Sequence, residues 1–352
     1  MLAEVYCIGN HRLSLELQGV EETCEYRLYW NDEPEKTKEK EHLLTVGKGS
    51  HCIFTCQEAY QHPIYITVAF HDGHDLLTGI RILPIQGMYN VRDLGGYPTR
   101  NGKHVKWGML YRGDHLYNIK EEGLPYLHQL GLHSIIDFRN ELEGEKFPNN
   151  TGDAEIVQYR FAPDGQIAAF AGSLQNEEHA FSHEHQLEVA REQVKKDKDY
   201  AAKSMMKQQI EFVHTPCSKE AYRHTLELMA DSQALPLFFH CKGGKDRTGF
   251  AAMLILSILG VDEEYILYDY LLTNRAREKK NQRYLDNFRR MADGDEEVAQ
   301  YLFSIFDTRK EYLQAALNEI HQEYGDVVTY VKQELGISDE TIQALRSLYL
   351  ED

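Results

Sequence analysis

The chain has 352 residues, 42% of them apolar and 27% charged, with a formal net charge of -18. That length supports one large or two ordinary domains, and the composition excludes wholesale disorder. The acidity weighs against general nucleic-acid binding and against adhesion to anionic membranes, although a short basic pocket can sit inside an acidic protein.

No run approaches about 18 consecutive apolar residues, so no stable membrane insertion is expected. The start, Met1-Leu2-Ala3-Glu4, lacks the basic and apolar regions of a leader, which points to the cytoplasm. Cys7, Cys24, Cys52, Cys56, Cys217 and Cys241 are scattered and do not form a disulfide framework. Free thiols in a reducing compartment are the expectation.

From residue 1 to about 84 the pattern is all-β. Short strands are predicted at 4–8, 12–17, 26–30, 42–46, 51–55, 64–69 and 77–83, several with alternating polar and apolar residues. Strands of this number and spacing predict a sandwich-like accessory domain. The charged run 31–41 reads as a solvated hairpin loop.

From about Pro84 strands alternate with helices. Buried strands are predicted at 134–138, 156–161 and 235–240, and a buried helix at 250–259 ended by Gly260. Such alternation predicts an α/β catalytic domain over 85–352, with a mostly parallel central sheet flanked by helices. The polar stretch at about 165–214 is too long for a simple connection and reads as a helical insertion or lid. The last 90 residues or so read as amphipathic helices.

The chemistry concentrates in His240-Cys241-Lys242-Gly243-Gly244-Lys245-Asp246-Arg247-Thr248-Gly249. The segment follows an apolar strand and precedes an apolar helix. A loop that enters a helix N-terminus aims several N–H groups at one point, which makes an anion site. Gly243 and Gly244 let the backbone curl inward. The positive field there favours the thiolate of Cys241, which can attack phosphorus. Arg247 carries a planar fork for two phosphate oxygens. The Thr248 hydroxyl can donate to the sulfur, and Lys242 and Lys245 add positive charge. A Walker loop is excluded, because Asp246 and Arg247 stand between the Gly-Lys pair and Thr248.

Cys-x5-Arg-Thr-Gly resembles the signature of the tyrosine and dual-specificity phosphatases. The Gly-Lys-Asp-Arg-Thr-Gly form is similar to a bacterial tyrosine phosphatase family that includes phosphoinositide-hydrolysing members. Asn90-Val91-Arg92-Asp93-Leu94-Gly95-Gly96, Leu110-Tyr111-Arg112-Gly113, Ile136-Asp137-Phe138-Arg139 and Asp269-Tyr270-Leu271-Leu272-Thr273-Asn274 match further motifs of that family, and so does the stretch 319–325. The resemblance runs from about Ile85 to the end. It implies a cysteine-dependent phosphatase fold and hydrolysis of phosphate monoesters through a phosphocysteine on Cys241. Phosphotyrosine in proteins is the leading substrate, a phosphoinositide the alternative. A non-catalytic phosphate-binding adaptor is the reading outside enzymology.

A leaving oxygen needs a proton. Asp164, in Phe161-Ala162-Pro163-Asp164-Gly165, is the expected acid, because the family carries its acid in a similar Pro-Asp. Asp246, inside the loop, and Asp137, beside Arg139, are the other candidates. Substrate contacts are expected from Lys242, Gly243, Gly244, Lys245, Asp246, Thr248 and Gly249. His240 is expected to shape the loop, and Arg92, Asp93 and Arg112 to form an ion-pair network. The histidines at 179, 183 and 185 and the pair His71 and His74 lack zinc-site spacing, so neither metal nor cofactor is expected. The sequence names no partner for the N-terminal unit.

Overall fold

The computed structural model describes residues 1–163 and 183–351. Seven strands come first: β1 (Leu2–Gly9), β2 (Arg12–Gln18), β3 (Glu25–Asn31), β4 (Leu43–Lys48), β5 (His51–Thr55), β6 (Tyr65–Phe70) and β7 (Asp75–Gly79). They form two antiparallel sheets, ordered β1-β2-β5 and β4-β3-β6-β7. The seventh strand was expected over 77–83 but ends at Gly79. Beyond it the chain makes isolated bridges only, from Ile80 to Val5 and from Ile82 to Arg92.

The second half adds β8 (Arg92–Asp93), β9 (His104–Val105), β10 (Leu110–Gly113), β11 (Ser134–Asp137), β12 (Val157–Arg160), β13 (Leu237–His240) and β14 (Leu350–Glu351). The central sheet has the order β12-β11-β13-β10-β8. Its strands are parallel except β8, which runs antiparallel to β10. β14 pairs with β9. The strand at 156–161 is not buried as expected. It is the sheet's edge, paired on one side only, and mostly exposed.

Helices fill the remainder: α1 (Leu124–His128), α2 (Glu141–Lys146), α3 (His183–Lys196), α4 (Tyr200–His214), α5 (Pro216–Met229), α6 (Asp246–Leu259) and α7 (Glu263–Met291), followed by α8 (Glu296–Phe303), α9 (Lys310–Tyr324), α10 (Val327–Gln333) and α11 (Asp339–Tyr349). Of the expected 165–214 insertion, α3 and α4 are described. The stretch before them, Asp164 included, lies outside the described residues.

β13 is an unbroken buried run because it is central and covered on both faces. Side chains along a strand alternate between faces. Ile136, Leu237 and Phe239 therefore join the helical core around α6, with Phe212, Tyr222 and Phe250. Ile135, Phe238 and Tyr111 face the other way and pack into one cluster with Val5, Leu28 and Ile66 of the β unit. The N-terminal sheets thus share one buried cluster with a face of the central sheet. Burying each Leu, Ile or Phe of these layers stabilises by about 1.5–3 kcal/mol.

Parallel strands also set the location of the site. The carboxyl ends of β10, β11 and β13 lie side by side, since Gly113 and Asp137 both stand opposite His240. The loops that follow, from Asp114, Phe138 and Cys241, meet at one edge, where α/β sheets bind ligands.

Candidate active site

Cys241 leaves β13 directly into the loop, is 4% exposed, and lies at the margin of the helical core. The loop runs into α6, whose first residue is Asp246. Gly244 has φ +63, and a Cβ there would stand 2.3 Å from the Gly113 carbonyl oxygen, so no side chain fits.

What turns the loop's amides inward is the fastening of its carbonyls outward. The Lys242 carbonyl accepts from the His115 N–H at 3.4 Å. The Gly243 and Gly244 carbonyls both accept from Asn90 Nδ2 at 3.0 Å. The Gly244 carbonyl also accepts from Arg112 Nη2 at 2.9 Å. With each carbonyl held from behind, the N–H groups are left for an anion.

The braces are themselves locked. Asp269 on α7 bonds Arg92 Nε at 2.8 Å and Arg112 Nη1, and all three are buried. Arg92 Nη1 donates to Asn90 Oδ1 at 2.7 Å, which fixes the amide that reaches the loop. Asp114 accepts from the Tyr89 and Asn90 backbone N–H groups. Burial raises the Asp269 pKa, but Arg92 and Arg112 outweigh it and hold the carboxyl at about 2. Tyr97 donates to Asp269 at 3.2 Å and stacks under Arg81, which pairs with Glu4 of β1 at 2.7 Å. Contacts therefore run unbroken from the first strand to the loop. Asp93 stands apart from the arginine pairs. Its carboxylate accepts from the Gly95 and Gly108 N–H groups at 2.7 Å, and burial pushes its pKa up to about 7.

Arg247 is aimed by Glu143. Its Nη1 donates to Glu143 Oε2 at 2.7 Å and its Nη2 to Oε1 at 3.1 Å, and Nη1 also reaches the Phe138 carbonyl at 3.1 Å. Glu143 is held by local structure. Asn140 caps α2 by accepting the Glu143 N–H at 2.8 Å, and Glu143 Oε2 accepts the Asn140 N–H at 3.3 Å. Sequence reasoning missed Glu143. The signal was Asn140-x-x-Glu143, a capping box directly after the Ile136-Asp137-Phe138-Arg139 motif.

His240 is fully buried, and its Nδ1 lies 2.9 Å from the Cys241 carbonyl oxygen. Burial lowers its pKa, with Asp137 opposing, and the ring shapes the backbone. Asp137 pairs with Arg139 at 2.7 and 2.8 Å, as an internal ion pair does. Burial would raise it, but His240 and Arg139 bring it down to about 2, which unsuits it to donate a proton near neutral pH. Asp246 is itself paired, 3.6 Å from Lys245 and 3.4 Å from the Tyr270 hydroxyl.

Two expectations are corrected. Lys245 does not face the phosphate: its Nζ donates to the carbonyls of Ile305 at 2.7 Å and Asp307 at 2.8 Å, and it anchors the loop to the turn after α8. Thr248 Oγ1 does not donate to sulfur: among the described residues it is buried without a hydrogen-bond partner. Lys242 stays near the mouth, its Nζ 5.4 Å from the Phe147 ring centre. Burial above all pushes its pKa down to about 8, with Glu143 opposing and Arg247 assisting. Asp164 lies outside the described residues.

Among the described residues a single group, His214, Glu319 and Glu323, offers metal-type donors within 4.8 Å of one another. Nε2 of His214 faces Glu319 at 2.7 Å while Nδ1 faces Glu323 at 3.9 Å. One ring edge per carboxylate is an ion-pair arrangement, not a converging ligand set. All six cysteines are free. Among the described residues no helix is long and apolar enough to cross a membrane.

A parallel sheet whose central strand delivers a cysteine, an amide-lined loop and a carboxylate-held arginine to one edge defines a phosphatase. The chain belongs to the tyrosine phosphatase family, whose model matches residues 83–351. It is 30% identical over 265 residues to a Cupriavidus necator protein named as a tyrosine-protein phosphatase, covering 74% of this chain and 85% of that one. It is 26% identical over 282 residues to the triple specificity protein phosphatase PtpB of Mycobacterium tuberculosis, covering 77% of this chain and 99% of that protein. The solved catalytic core of the PP-IP phosphatase SIW14 from S. cerevisiae aligns with a TM-score of 0.27 at 18% identity, over 60% of this chain and 87% of that one. That likeness is too slight to argue from.

Proposed function

We propose that the protein hydrolyses phosphotyrosine, and related monoesters in proteins, in two steps on Cys241. The thiolate attacks phosphorus, the P–O bond breaks, and the leaving oxygen takes a proton from Asp164. Water then attacks the phosphocysteine, the S–P bond breaks, and Asp164 recovers its proton. Arg247 and the loop amides hold the equatorial oxygens through both steps. The reading rests on one observation above all: the carbonyls of residues 242–244 are fastened outward while Glu143 holds the Arg247 fork. Family membership supports the phosphatase class, and the names of the relatives support phosphotyrosine. Lys242, Asp246 and the backbone of Gly243, Gly244, Thr248 and Gly249 line the substrate site in this reading. A reducing, cytoplasmic setting would keep the thiol active.

Rapid-quench kinetics with an aryl phosphate test it. A burst of phenol followed by mass-spectrometric capture of phosphate on Cys241 is expected, and Cys241→Ser should remove both. Asp164→Asn should slow esters of poor leaving groups more than activated ones. Turnover surviving in Cys241→Ser would refute the mechanism. Faster release from inositol headgroups than from phosphotyrosine peptides would refute the substrate.

A further inference from the structure

Arg277 on α7 is 6% exposed, yet among the described residues no carboxylate or carbonyl bonds its guanidinium. A buried arginine without a counter-ion is costly, because its desolvation is not offset. Its place is specific. Nη1 lies 2.9 Å from where a Cβ on Gly243 would stand, so the glycine leaves room for it beside the phosphate loop. Lys280, one helical turn further, shares its face and covers the Tyr89 ring, Nζ 4.8 Å from the centroid. Burial chiefly, and then Arg277, lowers the Lys280 pKa, with Asp114 opposing them.

The nearby carboxylates all have partners of their own. Asp114 accepts from Tyr89 and Asn90. Asp307 accepts from Arg309 at 3.0 Å and Thr308 at 2.8 Å, and Asp246 stands between Lys245 and Tyr270. Lys245, Lys242 and the buried His115 ring add no negative charge, and burial above all holds His115 down at about 3. Arg277 thus lies beside the loop bonded to no anion among the described residues, and Lys280 shares its face, with Asp114 as the carboxylate acting on it.

We infer that Arg277 and Lys280 form a second anion subsite, which takes a second phosphate of the substrate while the first lies over Cys241. This deepens the phosphatase reading and rests on it. The overall charge of -18 disfavours an anionic lipid surface, so the substrate class is a doubly phosphorylated peptide. Arginine's fork suits a tetrahedral oxyanion, which it binds through two N–H groups.

The test compares a phosphotyrosine peptide with the same peptide phosphorylated at a neighbouring residue. Binding is measured by calorimetry on the Cys241→Ser protein, and kcat/KM on the active enzyme. The doubly phosphorylated peptide should bind more tightly, and Arg277→Gln should lower that preference about tenfold, the loss of one charge-assisted contact. Lys280→Gln should lower it less, and serves alone if Arg277→Gln fails to fold. Lys279→Gln removes the same charge from an exposed position of α7 and should leave the preference intact. No preference in the parent protein, equal losses on both peptides, or an equal effect of Lys279→Gln would overturn the subsite. A loss confined to a soluble inositol bisphosphate would overturn the peptide assignment. Absence of turnover with the binding preference intact would count against the phosphatase mechanism and leave the subsite standing.

Discussion

Behind the phosphate loop and at its mouth, this protein buries arginines in opposite ways. Behind it, Arg81, Arg92 and Arg112 are completely enclosed and matched to Glu4 and Asp269. At the mouth, Arg247 is held by Glu143, and Arg277 bonds no carboxylate among the described residues. Desolvated charges that meet only protein groups can do nothing but hold position. A buried guanidinium that bonds no carboxylate beside an anion cradle is poised for a ligand. Stability should follow the first set, and turnover and selectivity the second.

The largest test of that division is Asp269→Ala. It strands two buried guanidinium groups and should cost about 3–5 kcal/mol, read from urea unfolding. The pH dependence gives the sign independently. Asp269 is held at about 2, below its ordinary value, so its contribution is present above about pH 4 and is lost as pH falls toward 2. Asp269→Asn should flatten the fall in Tm over that acid window, and an unchanged acid limb would break the argument. Glu143→Gln comes next. It leaves Arg247 unaimed and should cut kcat/KM by roughly ten- to a hundredfold, with little change in unfolding midpoint. A loss of stability without loss of turnover would put Glu143 with the scaffold instead. The smallest effect is expected at Arg275. Its pair with Glu16 at 2.8 Å and its stacking on Tyr6 tie α7 to the β unit, but both charges are well exposed. Arg275→Ala should cost no more than about 1 kcal/mol.

Much of this was legible from residues that are adjacent in the chain. The seven short strands alternate, and their turns carry Gly, Asn or Asp, so local pattern placed six of them closely. The loop from Cys241 to Gly249 could be read because strand, glycine pair, arginine and helix follow one another without interruption. Asp137 beside Arg139 was readable for the same reason. The errors share a cause. The segment after Gly79 looks like a strand but finds no continuous partner. The 156–161 run looks buried but falls on a sheet edge. Lys245 looks like a phosphate ligand until the turn at 305–307, some sixty residues away, offers it two carbonyls.

By itself, then, the sequence determined a strand-to-helix loop that carries a cysteine, a glycine pair and an arginine, since those depend on backbone geometry within ten residues. Only the tertiary structure decided which charges stand behind that site and which stand open beside it. Asp269 comes to Arg112 across 157 positions of chain and Glu143 to Arg247 across 104, distances over which no local pattern carries information. The balance between pairing and exposure is set by desolvation, and desolvation exists only once the layers have closed.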